Sequence, residues 1–147
     1  MVNFDFGLIC ETAIIDQQTN HLSVIKVIEG FNFLAFPANL PRLYMITAWS
    51  RDKASSDEQE VVARLRFIEP NHKDGDKIFT SNFDVILPKG KRRLRAIIEI
   101  SGLPVNSAGE YELCVEVKTK NTWNRVGGVY FDVSNSPMPE KVAGLPK

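Results

Sequence analysis

The stretch YELCVEVK (111–118) alternates between apolar and polar positions. Tyr111, Leu113, Val115 and Val117 share one parity, and Glu112, Cys114, Glu116 and Lys118 the other. Successive side chains of a strand point to opposite faces, so this pattern predicts a strand with one face on a core and one in solvent. VGGVYFDV (126–133) follows, with Val129, Phe131 and Val133 on one side. The intervening KTKNTWN reads as a hairpin loop, because Asn121 and Asn124 tolerate the backbone angles of turns. The pair Gly127–Gly128 inside the second strand predicts a bulge or a close backbone approach.

The same period recurs along the chain. Phe4, Phe6, Leu8 and Cys10 alternate near the start. HLSVIKVIE (21–29) is β-branched and follows the turn-like DQQTN, and RLYMITAWS (42–50) is a further strand. EVVARLRFIE (60–69) places Ala63, Leu65 and Phe67 on one face and Arg64 and Arg66 on the other. IFTSNFDVIL (78–87) groups Phe79, Phe83, Val85 and Leu87. LRAIIEI (94–100) groups Leu94, Ala96, Ile98 and Ile100, opposite Arg93, Arg95 and Glu99. GFNFLAFPANLPRL (30–43) does not alternate and holds two prolines, so it predicts a crossing between sheets with a short helical turn.

About eight strands and no convincing amphipathic helix predict an all-β chain. The expected form is a single immunoglobulin-like antiparallel β-sandwich over residues 1–133. The segment 134–147, with three prolines and few apolar residues, reads as a flexible C-terminal tail. In NSAGEYELCVEV a glycine stands two positions before Tyr111 at the start of a late strand. This is similar to the tyrosine corner of immunoglobulin-like sandwiches, where the phenol ties a strand start back to a loop. Leu113 occupies the place of the second cysteine, so an antibody-type domain is not expected.

LICETAIIDQQTNHLSVIKVIEGFNFLAFPANLP, GEYELCVEV and VYFDV together resemble a family of small bacterial proteins of uncharacterised function. The matching elements are Cys10 with Glu11, the strand Leu22 to Ile28, and Phe36 with Pro37, and the likeness spans residues 4 to 133. The resemblance implies a β-sandwich and a bacterial or phage-like source, with no catalytic residues to carry over.

Composition narrows the function classes. At 147 residues the chain suits one domain with a sizeable core. Its formal net charge is zero at pH 7, whereas a dedicated nucleic-acid binder usually carries a basic field. Cys10 and Cys114 lie in strand-like segments, outside any CxxC or Cys/His cluster. MVNFDFGLICETAI has neither a basic start nor an unbroken apolar run, which argues against a secretory signal. The expected setting is cytoplasmic and reducing, with both thiols free and buried. No apolar run approaches the roughly 18 residues of a membrane helix.

Candidate chemistry is sparse. His21 and His72 share no zinc-ligand spacing with each other or with the cysteines. No nucleophile elbow and no phosphate-cradling glycine loop is present. The turn NHKDGD offers Asn71, Asp74 and Asp76 to calcium, too few oxygens for an ion that takes six to eight. No metal, cofactor or catalytic group is expected, and the chain reads as a non-enzyme.

PKGKRRLR (88–95) is the densest basic run. The plainer reading is a turn followed by the wet face of a strand, whose charges guard a sheet edge. If successive strands run antiparallel, loops 16–20, 52–59, 88–92 and 119–124 gather at one end, and 30–41, 70–76 and 101–109 at the other. The first end would bring Lys89, Lys91, Arg92, Lys118, Lys120 and Trp123 together with Asp52, Asp57 and Glu58, a mixed-charge end to which Arg93 and Arg95 add polar contacts. Tryptophan and arginine are favoured interface anchors, so these residues form a candidate protein-docking surface with Trp123 at its centre. The competing reading folds Trp123 over its own hairpin. The leading expectation is a non-enzymatic module that binds a protein or itself. A structural accessory of a phage-derived or secretion-type assembly comes second, and weak nucleic-acid binding through residues 89–95 third.

Overall fold

The computed structural model describes residues 1–52, 57–73 and 79–136. Among them are eleven strands and no helix. In chain order these are β1 (Val2–Ile15), β2 (Leu22–Val27), β3 (Gly30–Phe33), β4 (Ala38–Asn39), β5 (Leu43–Arg51) and β6 (Gln59–Ile68). β7 (Phe79–Leu87), β8 (Arg93–Ile100), β9 (Pro104–Val105), β10 (Gly109–Thr119) and β11 (Thr122–Asn135) complete the fold. A four-stranded sheet has the order β2-β1-β5-β8, a five-stranded sheet β3-β11-β10-β6-β7, and β4 pairs β9.

The alternating positions of the two larger sheets meet in one core. Ile9, Leu43, Met45 and Trp49 come from the first sheet, and Leu65, Val85, Leu113, Val115 and Phe131 from the second. Tyr111 stacks on Phe67 and Phe131 at centroid distances of 5.4 and 5.7 Å. Trp49, almost fully buried, keeps its polar tip satisfied: its indole N–H donates to Thr47 Oγ1 at 2.8 Å, and that hydroxyl donates to the Ala96 carbonyl. The Tyr111 hydroxyl donates to the Ser107 carbonyl at 2.7 Å, tying the start of β10 to the preceding loop as its sequence context predicts.

Several elements depart from the expected pattern. The strands number eleven rather than about eight, because the short segments β3, β4 and β9 also pair. β3 runs parallel to β11, so the sheets are not wholly antiparallel. Residues 30–43 do cross between the sheets, but through β3, β4 and a cis Phe36–Pro37 bond, with no helical turn. β11 continues to Asn135, two residues beyond the expected domain boundary at 133, and Ser136 N–H reaches the Phe33 carbonyl.

Phe4, Phe6, Leu8 and Cys10 do not share one face. Phe4 stands opposite Trp49 but Phe6 opposite Ala48, so Asp5 is an extra residue, a β-bulge that reverses the phase. Phe4 therefore packs edge-on against Trp49 at 5.2 Å, and the later even-numbered residues turn away from the core. A second bulge, at Val126, lies beside the paired glycines. A Cβ at Gly127 would run into the Phe4 ring, and one at Gly128 would lie 2.7 Å from the Glu112 carboxylate.

Candidate functional site

One end of the fold is organised by Arg51, the last residue of β5, which is buried. Its guanidinium donates to the carbonyls of Lys91 at 2.7 Å, Pro88 at 2.9 Å and Asp57 at 2.9 Å. Arg92 Nε returns a bond to the Arg51 carbonyl at 3.2 Å. The β7–β8 turn is thereby fastened to the segment after β5. Gly90, with φ +78°, and the bond from Lys91 N–H to the Pro88 carbonyl shape that turn. Lys89 and Lys91 are exposed on it. Residues 53–56 of the 52–59 loop lie outside the described residues.

Loop 16–20 comes beside Arg92, Arg93 and Arg95, with Asn20 lining one cleft with them, but it does so by folding back over the sheet. β1 pairs β5 only as far as Cys10 and then β2 alone, so the β1–β2 hairpin is free to curl. It returns over the face of the first sheet that points away from the core. Arg95, opposite Ala48 on that face, donates to the Asn20 carbonyl in the hairpin turn at 2.8 Å. The turn is set by Asp16, whose carboxylate accepts the N–H groups of Thr19 and Gln18. Those two bonds, the one from Thr19 first, hold the Asp16 carboxyl below its ordinary pKa. Cys10 and Ile46 stand outside the main core cluster yet are shielded from solvent.

Between the hairpin and the sheet lies an open cleft of about 870 Å³. Phe6, Ala48 and Ile97 line its floor, Ile15 and Asn20 its hairpin side, and Arg92, Arg93 and Arg95 its rim. Phe6 is 55% exposed and Ile15 44% exposed, high values for large apolar side chains. None of the three arginines forms an ion pair among the described residues. Asp5 also lines the cleft, and its carboxylate accepts the Ser50 hydroxyl at 2.8 Å.

Trp123, Lys118 and Lys120 belong elsewhere. Lys118 and Trp123 face each other across β10 and β11, on the outer side of the second sheet. Arg64 lies 4.2 Å over the Trp123 ring and Lys118 5.9 Å from it. Trp123 thus packs against Arg64 of β6 and Lys118 of its own hairpin. Lys120, at φ +49°, is an exposed turn residue.

The outer face of the second sheet differs from the expected solvated strand surface. Glu112, Cys114 and Glu116 are buried there. Arg64 donates to Glu116 at 2.6 Å and Arg66 to the same carboxylate at 3.3 Å. Arg125 grips Glu112 through both terminal nitrogens and reaches the Tyr130 hydroxyl at 3.0 Å. The Glu112 hydrogen bonds push the Arg125 pKa further up. Three arginines thus cover two carboxylates and the thiol between them. Burial, then the Glu112 charge, raise the Cys114 pKa, and burial raises that of Cys10. Both cysteines are free, and an unactivated buried thiol is a poor nucleophile.

Among the described residues no three of His, Cys, Asp and Glu come together in a way that could hold a metal ion. The calcium candidates Asp74 and Asp76 lie outside the described residues. Among the described residues no helix is long and apolar enough to cross a membrane.

Arg92, Arg93 and Arg95 were legible as a patch, but Phe6, Ile15 and Asn20 were not. The available signal was the run LICETAII, which holds more apolar residues than one buried face can take.

No curated protein matches the chain. Among solved structures, a β-glucosidase from Listeria innocua in complex with glucose aligns at 12% identity with a TM-score of 0.45. The alignment covers 76% of this chain and 15% of the enzyme, and so slight a likeness gives no ground for assigning an activity. A family model, described as a family of unknown function (DUF6941), matches residues 5–125, most of the chain. The chain belongs to that family, as the resemblance of its strands to an uncharacterised family anticipates.

Proposed function

We propose that the protein is a non-enzymatic interaction module that docks a protein partner in the cleft between the β1–β2 hairpin and the outer face of the first sheet. One observation carries this reading: exposed apolar side chains, Phe6 and Ile15, lie beside three arginines that have no acidic partner among the described residues. Apolar surface gains free energy when a partner covers it, and arginine is a favoured anchor. The tyrosine-corner bond of Tyr111 supports an immunoglobulin-like kinship of the two sheets. A cytoplasmic setting accords with two buried free thiols. Relative to the sequence expectation, the docking surface keeps Arg92, Arg93 and Arg95 and loses Trp123, Lys118 and Lys120.

The test is affinity capture from source-cell lysate, with and without nuclease, using the wild type and an Arg93→Glu/Arg95→Glu variant. The expected result is a stoichiometric protein that survives nuclease and is lost with the variant. Capture that the variant leaves intact moves the surface elsewhere. Particles of a large assembly co-purifying at fixed ratio favour a structural accessory. Capture that vanishes with nuclease favours nucleic acid.

A further inference from the structure

We infer that the cleft takes an extended peptide segment in which carboxylate side chains flank an aliphatic or aromatic residue. This rests on the proposed docking role of the cleft and names the partner's chemistry.

The two sheets treat their arginines in opposite ways. On the second sheet, Arg64, Arg66 and Arg125 are each spent on a carboxylate of their own chain. On the first sheet, Arg92 uses Nε on the Arg51 carbonyl, and Arg95 uses Nη2 on the carbonyl and the side-chain oxygen of Asn20. The side chain of Arg93, exposed on the same rim, has no hydrogen bond or ion pair among the described residues. A guanidinium presents five donors in a planar fork that matches a carboxylate two-to-two. The cleft rim therefore holds donor capacity that an acidic ligand completes.

The floor decides between acidic ligands. Phe6, Ala48 and Ile97 on the floor and Ile15 on the hairpin side are apolar, and of the two lining aromatics Phe6 is exposed while Trp49 is buried. Nucleic-acid grooves without base readout combine a positive track with several stacking rings. This cleft has one exposed ring, and the chain has no net positive charge. A peptide side chain of Leu, Ile or Phe type fits such a floor. Asp5 on the cleft wall disfavours a second anion there and leaves the carboxylates to the arginine rim.

The experiment pans a phage-displayed library of random short peptides against the intact wild-type protein. Recovered peptides are then synthesised with a fluorescein label. Fluorescence polarisation titrates each against the wild type, Arg93→Glu/Arg95→Glu and Phe6→Ser, after circular dichroism shows each variant folded. A labelled oligothymidylate is titrated in parallel. The expected peptides carry Asp or Glu on either side of a large apolar residue. They lose at least about tenfold in affinity with the charge-reversed variant, equal to about 1.4 kcal/mol, and lose affinity with Phe6→Ser as well. Peptides that depend on these cleft residues but show no acidic enrichment overturn the partner chemistry and leave the docking role standing. Peptides indifferent to both variants overturn both. Oligothymidylate that binds more tightly than any peptide, and weakens steeply with salt, also overturns both in favour of nucleic acid.

Discussion

Arg64 holds its guanidinium 4.2 Å over the ring of Trp123 while its Nε bonds Glu116 at 2.6 Å. One arginine thereby joins an aromatic ring on β11 to a buried carboxylate on β10, and the ring is committed to its own sheet. Replacing Trp123 by Ala is expected to destabilise the fold by about 1–2 kcal/mol, the scale of a partly desolvated cation–π contact. The urea midpoint measures this. A loss within about 0.5 kcal/mol, typical of an unremarkable surface position, would show that the ring supports nothing.

Arg51 fastens the 88–92 turn, and with it the arginine rim of the cleft. It donates to three carbonyls from a buried position, and hydrogen bonds from charged groups contribute about 1.5–3 kcal/mol each without adding simply. Arg51→Ala is expected to cost about 3 kcal/mol and to speed amide exchange at Lys91, whose N–H closes the turn on Pro88. Arg51→Lys recovers only part of this, because an ammonium lacks the planar fork. Equal stability of the lysine variant and the wild type would contradict the account of this corner.

The thiols make stability fall at alkaline pH. Burial raises the folded pKa of Cys10 and Cys114 above the ordinary value of 9.0. Above pH 9.0 the unfolded chain loses thiol protons that the folded chain keeps, so the unfolded state binds fewer protons and stability declines as pH rises. The contribution is complete below that value and lost as pH climbs through the raised folded values. Urea melts from pH 8 to 11 are expected to show this decline, and a Cys10→Ala/Cys114→Ala variant to show a shallower one. Identical slopes would mean that the thiols are not desolvated. Iodoacetamide is expected to modify folded protein far more slowly than unfolded protein, for the same reason.

Period-two patterning made the long strands legible, because each has one face on a shared core. The face assignments of β6, β8 and β10 follow directly from it, while the Tyr111 tie follows from its tyrosine-corner context and the β11 bulge from the paired glycines beside it. The start of β1 was misread because one extra residue, Asp5, reverses the alternation, and no residue-type signal announces a bulge of that kind. β3, β4 and β9 escape the pattern because strands of four and two residues are too short to carry a period. Their pairing depends on neighbours distant in sequence. The arginines of 88–95 are visible in the sequence as charge, but that none of them pairs with a carboxylate among the described residues is not. Ion pairing across β6, β10 and β11 depends on register, and burial of Glu112 and Glu116 follows from arginines on two other strands. The cleft depended on one tertiary event, the return of the β1–β2 hairpin over its own sheet, which alternation cannot encode.

The most direct test of the docking cleft is one titration of the captured partner, by fluorescence polarisation, against wild type, Arg93→Glu and Trp123→Ala. The expected result is a loss of at least about tenfold for Arg93→Glu and a change within about twofold for Trp123→Ala. The reverse order, with Trp123→Ala abolishing binding and Arg93→Glu leaving it intact, would contradict the cleft and return the docking surface to the β10–β11 hairpin.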